Sequence, residues 1–171
     1  LKVETTRFGA LEVPEETVVT FPDGIPGFAG KRFVMFRRDD APVVEWMQSL
    51  EEPDVAVMTV EPTDFFPDYR PQPKAGELLT IDGAALGPDD LLCRVIIRLG
   101  DAPGKLFVNL FAPLFFNIPR RVGMQLPLVG SGLSVREVWP PSPDPAPTAD
   151  DELSLTLDEP EEPGESAPER E

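Results

Sequence analysis

At 171 residues and 41% hydrophobic composition, the chain has material for one domain of ordinary size with a real core, plus an appendage. It has no histidine and a single cysteine, Cys93, which excludes an internal disulfide, a Cys/His zinc site and any Ser-His-Asp or Cys-His catalytic arrangement. The formal net charge of −16 repels nucleic-acid phosphate and favours a basic protein partner through opposite fields, although acidity also serves plain solubility.

In chain order, the opening Leu1-Lys2-Val3-Glu4 has no apolar h-region, so no signal peptide is expected. Pro and Gly then punctuate the sequence at about 8–12-residue intervals, the spacing of a sandwich or barrel. Val18-Val19-Thr20-Phe21 reads as a short strand closed by Pro22-Asp23-Gly24. Residues 32–37 and 55–60 read as further strands. Residues 84–91 read as a connection or one turn of helix. Cys93, Val95, Ile97 and Leu99 alternate with Arg94, Ile96 and Arg98, which predicts a half-buried strand with its two arginines outward. No segment sustains a 3.6-residue apolar period, so large helices are not expected.

Residues 105–117 carry apolar side chains on both faces. Leu106, Val108, Leu110, Ala112, Leu114 and Phe116 would share one face. Phe107, Phe111 and Phe115 would share the other, with Asn109 and Asn117. A strand of this kind is either buried on both sides or carries a partner surface. No apolar run reaches the about 18–20 residues of a membrane span. The longest, Leu110 to Ile118, is broken by Pro113 and Asn117. A cytoplasmic protein with no membrane contact is expected.

The folded domain is expected to end near residue 139. Residues 140–171 hold 11 acids, one base and 8 prolines, and no aromatic residue. Such a segment cannot bury enough apolar area to offset its ordering entropy, and a disordered tail is expected. Within it Leu153, Leu155 and Leu157 alternate with Ser154 and Thr156, as a short strand or as a greasy stretch of tail. The preceding 139 residues hold 20 acids and 14 bases.

The search for chemistry finds little. Gly24 to Lys31 lacks phosphate-loop spacing, and Lys31 is followed by Arg32 rather than Ser or Thr. Gly130-Ser131-Gly132 lacks the nucleophile-elbow pattern. The doublets Asp39-Asp40, Glu51-Glu52 and Asp89-Asp90 read as solvated turn charge. Asp64 and Asp68 are too sparse for a calcium loop. Cys93 sits in an apolar run without a neighbouring base and reads as a buried inert thiol. No catalytic residue, metal site or cofactor is expected. Residues 20–69 instead pack aromatic side chains, tight turns and acids closely, which favours binding over catalysis.

Several marks in order give the chain a relative. They are Thr6-Arg7-Phe8-Gly9, then Phe21-Pro22-Asp23-Gly24-Ile25-Pro26-Gly27-Phe28, then Trp46-Met47-Gln48-Ser49-Leu50. Pro62 with Phe65, Phe66 and Tyr69 follows, then Val108-Asn109-Leu110 with Ala112-Pro113, and Asn117 ahead of Arg120-Arg121-Val122-Gly123-Met124-Gln125. Over about residues 3–137 the chain resembles the bacterial flagellar assembly factor FliW family. It departs from the family pattern at Met47, at Val57-Met58 and in its acidic extension.

The resemblance implies a small, mainly antiparallel β-barrel-like domain without catalytic activity. It implies two protein partners: CsrA, an RNA-binding translational regulator that represses flagellin synthesis, and flagellin itself. Proteins of this family bind CsrA away from its RNA surface and relieve repression allosterically, with flagellin competing. A dedicated flagellin-binding chaperone without translational role is the alternative. Pro22, Gly24, Pro26 and Gly27 read as turn formers and Trp46 as a core anchor. Phe65, Phe66 and Tyr69 are candidate partner contacts or a hydrophobic plug, and Phe107, Phe111 and Phe115 are candidate partner contacts or core.

Overall fold

The structure, a computed structural model, describes residues 1–71 and 90–141, all within one unit, Leu1–Pro141. The Leu153–Leu157 alternation, the acidic tail beyond residue 141, the 84–89 connection and Asp89 lie outside the described residues. Among the described residues there are eleven strands: β1 (Lys2–Thr5), β2 (Gly9–Glu12), β3 (Val18–Thr20), β4 (Arg32–Arg38), β5 (Ala41–Ser49), β6 (Ala56–Val60), β7 (Leu91–Leu99), β8 (Leu106–Val108), β9 (Leu114–Asn117), β10 (Val122–Gln125) and β11 (Glu137–Trp139). Two single 3-10 turns, Glu15–Thr17 and Pro62–Asp64, are the described helical elements.

Strands β3, β4, β5, β6 and β7 pair in sequence, all antiparallel. The far edge of β7 then splits. Its first half, Leu91–Arg94, pairs with β9, and its last residues, Ile97–Leu99, pair with β8. β9 pairs with β10, and β10 returns to β3 through the parallel contact Val122↔Thr20. Seven strands thus close into a barrel, which leaves no free edge around the ring. β8 and β11 form a flap beside the open half of β7.

Strand alternation sorts side chains into the lumen and the outer face. Lumen positions come from every strand of the ring. Val19, Phe33, Met47, Val57, Leu114 and Phe116 meet there, with Leu92 and Ile96 packed against them. Phe21 is fully buried at the centre and meets Phe33 and Phe116 edge-to-face at 5.7 and 5.6 Å. Such pairs contribute about 0.5–1.5 kcal/mol beyond the area they bury. Gly123 of β10 is the small residue that admits this ring, since a Cβ there would lie 2.7 Å from Phe21.

A second core lies on the outside of β5, β6 and β7. Trp46, Val60, Val95 and Ile97 are covered there by Tyr69, Val108, Leu110 and Trp139. The β1–β2 hairpin docks on its rim, with Phe8 edge-on to Phe36 and Trp46 at 5.1 and 5.0 Å. A third cluster, Phe115 with Leu126 and Leu128, covers the outside of β9.

Two expectations change. The 105–117 run is not one strand but β8 and β9 joined by a turn, in which the Asn109 Oδ1 accepts from the Ala112 N–H at 3.0 Å. The bend sends the three phenylalanines to different places. Arg94 is also not an outward, solvated arginine: it is 5% exposed and faces the lumen. Closing the sheet through β9 turns the first half of that face inward, so a charge there must find partners within the barrel, whereas Arg98 on the same face stays exposed, as expected.

Candidate functional site

The Phe21–Phe28 segment stoppers one mouth of the barrel. The Gly24 N–H donates to the Phe21 carbonyl at 2.9 Å, and the Phe28 N–H to the Ile25 carbonyl at 3.0 Å. Gly24 and Gly27 hold φ of 75° and 94°, a region that penalises any residue with a Cβ. The two turns drive Ile25 into the lumen core, where it is 2% exposed, and set Phe28 against it. The Glu51-Glu52 doublet then ties down the next residues. Glu52 accepts from the Ala29 and Gly30 N–H groups at 3.1 and 2.8 Å, and Glu51 accepts from the Arg32 N–H and Nε at 3.1 and 2.7 Å. These carboxylates are backbone anchors, which corrects their reading as solvated turn charge.

Beside this stopper lies a groove of about 610 Å³. Pro26, Gly27 and Phe28 line it together with Ile96 and Arg98 of β7 and with Phe111, Ala112 and Pro127. Asn109 and Gln125 complete it. Asn109 holds the Ala112 N–H, and the Gln125 Nε2 donates to the Ala112 carbonyl at 3.0 Å, so two amides brace one wall. Pro26, Gly27, Phe28, Asn109, Ala112 and Gln125 are all among the marks that carry the family resemblance, and three distant segments bring them together here.

The other candidate residues are spread out. Phe111 is half-buried in the groove wall. Phe107 is half-buried on β8, opposite Arg98, with the Arg136 guanidinium 4.3 Å above its ring. Phe115 is 2% exposed inside the cluster outside β9, so it is not at the surface. Tyr69 is 4% exposed and its hydroxyl donates to the Leu110 carbonyl at 2.8 Å, which makes it a brace rather than a surface group. Phe65 and Phe66 are half-buried beside it, Phe65 edge-on to Trp139 at 5.1 Å. Trp46 is 7% exposed in the outer core. Pro22 and Pro26 lie exposed on the stopper turns.

No reactive group converges on the groove. Cys93 lies in β7 on the outer face, paired opposite Phe115. Burial pushes its thiol up to about 12, and Glu61 adds to the shift. Burial also raises the Tyr69 phenol. Among the described residues no cluster of three His, Cys, Asp or Glu side chains is placed to hold a metal ion. Among them also, no helix is long and apolar enough to cross a membrane.

The arrangement is that of a braced β barrel with a shallow apolar groove at its mouth, a binding architecture. The profile of the FliW protein family matches residues 2–138. The flagellar assembly factor FliW of Geobacter sulfurreducens is 33% identical over 134 residues, covering 77% of this chain and 81% of that protein. FliW of Syntrophotalea carbinolica is 35% identical over 141 residues, covering 81% and 98%. A crystal structure of the flagellar assembly factor FliW superposes with a TM-score of 0.73 at 27% identity, covering 83% of this chain and 99% of that one. The chain belongs to the FliW family of flagellar assembly factors.

The groove itself was beyond reach of the sequence. Of its lining, Phe111 reads from the sequence as a candidate partner contact, Pro26 and Gly27 as turn formers, and Ile96 and Arg98 as strand residues. Nothing local in Phe28, Ile96 and Phe111 says that they meet.

Proposed function

We propose that this protein is a non-enzymatic, cytoplasmic antagonist of the translational regulator CsrA, relieving repression of flagellin synthesis and being titrated in turn by flagellin. The observation that carries the reading is the family match across residues 2–138. Two features support it. The net charge of −16 suits a basic RNA-binding partner and would repel RNA from the complex. The site offers apolar contact without reactive groups.

Relief by an allosteric route requires that the protein prefer the CsrA state with weak RNA affinity. A coupling of about 1–3 kcal/mol would lower RNA affinity about 5–150-fold, and RNA would weaken this protein's binding by the same factor. The test is co-purification with CsrA and flagellin together, each added in turn. A CsrA complex that weakens with salt and is displaced by flagellin is expected. No complex with CsrA at micromolar concentration, beside intact flagellin binding, would reduce the role to that of a flagellin chaperone.

A further inference from the structure

We propose that the groove at the barrel mouth is a docking site for an apolar segment of a partner protein that carries a carboxylate. The inference goes beyond the partner reading above and holds whichever protein supplies the segment.

The walls supply the apolar half of the match. Phe28, Ile96, Phe111, Ala112 and Pro127 present carbon surface, and Phe28, Ile96 and Phe111 are each only half-buried, so they retain surface for a ligand to cover. The apolar surface also runs on past the groove. Strand pairing places Arg98, Phe107 and Val138 in one row across β7, β8 and β11. Val138 is 52% exposed. An extended row of this kind suits a chain segment better than a compact small molecule.

The polar half comes from Arg98. It is exposed, and it is the one charged side chain among the described residues that line the groove. It also has no ion pair among the described residues, unlike Arg32, Arg37, Arg38, Arg94 and Arg136. An unpaired guanidinium beside apolar walls is a fork for a carboxylate, and it strengthens as the groove is dried by an occupant. Arg136, stacked on Phe107, is already paired with Asp101, which leaves Arg98 as the free charge of the row among the described residues. The bracing amides keep one function each: the Asn109 Nδ2 and the Gln125 Oε1 have no partner among the described residues and match a peptide carbonyl and N–H. A second copy of this chain is a poor occupant, because it would bring a whole body of net charge −16, whereas a segment brings only the few carboxylates that face Arg98.

Two fluorescein-labelled peptides test the match: one alternating Leu and Phe with Glu, the other with Lys in place of every Glu. Each is titrated with the full chain and followed by fluorescence anisotropy. The acidic peptide is expected to bind, and the basic one about tenfold more weakly or not at all. Arg98→Glu is expected to weaken the acidic peptide about tenfold, whereas Lys2→Glu on the β1–β2 hairpin leaves it unchanged. Phe111→Ser should also weaken the acidic peptide, and Arg98→Glu carries the test alone if that variant fails to fold. Absence of binding at millimolar peptide, equal affinity for the two peptides, or indifference to Arg98→Glu would overturn the proposal. So would sedimentation showing a dimer of the full chain that Arg98→Glu dissociates. CsrA co-purification is read separately, so either idea can fail without the other.

Discussion

Replacing Arg94 by methionine removes the one cation of β7 that closure of the barrel turns inward. Its Nε donates to the Glu45 Oε2 at 3.0 Å, and its Nη1 donates to Glu61 and, at 2.8 Å, to the Cys93 carbonyl. Methionine keeps much of the volume but no donor. Among the described residues Glu45 would then retain Arg37, whose Nε lies 3.5 Å from its other oxygen, and Glu61 would retain the Thr63 hydroxyl at 3.0 Å. Breaking a buried ion pair by removing one partner costs about 3–5 kcal/mol. The two carboxylates are 16% and 28% exposed, so water recovers part of that loss and the low end applies. A loss of about 3 kcal/mol is expected, which for a domain of this size lowers Tm by about 10 °C. Urea and thermal unfolding of the purified variant measure it. Adding Glu45→Gln should recover about 1 kcal/mol or more, since neighbours in one charge network do not act additively. A loss under about 1 kcal/mol would mean that the cluster behaves like a solvated surface pair, and the account of a charge enclosed by barrel closure would be wrong.

Gly123→Ala should destabilise the fold by about 1–3 kcal/mol, because the new methyl meets a fully buried Phe21 ring held between Phe33 and Phe116. A calorimetric Tm unchanged within a degree would contradict the packing described around Phe21. The Cys93 thiol, pushed up to about 12 chiefly by burial, makes stability depend on alkaline pH. Below about 8.5, the ordinary value of the thiol, both folded and unfolded chains keep the proton, and its contribution is fully present. Above it the unfolded chain loses the proton first, so stability falls as pH rises towards 12. A loss of about 1–2 kcal/mol by pH 10 is expected from urea melts at pH 8 and pH 10. Cys93→Ala should flatten that slope, and an unaltered slope would remove Cys93 as its source.

Much of the chemistry was legible along the chain. The missing histidines, the lone thiol in an apolar run and the glycines between Phe21 and Phe28 can each be judged from nearest neighbours, because they concern residue types and short-range backbone geometry. The alternation of residues 93–99 likewise marked a strand with two distinct faces. What alternation cannot say is which face becomes the inside. Arg94 and Ile96 share a face with Arg98, yet one is sealed in the lumen and another opens on the groove, because β9 covers the first half of β7 and β8 the second. The same blindness joined β8 and β9 into one strand, since a bend at Asn109 preserves apolar content on both sides of it. It also hid β5, whose run from Ala41 to Ser49 mixes Pro, Glu and Gln with Trp46 and Met47. Lumen, outer core and groove are products of seven strands meeting across long sequence separations. A period of two residues carries information over a few positions, whereas closure is a property of the whole ring.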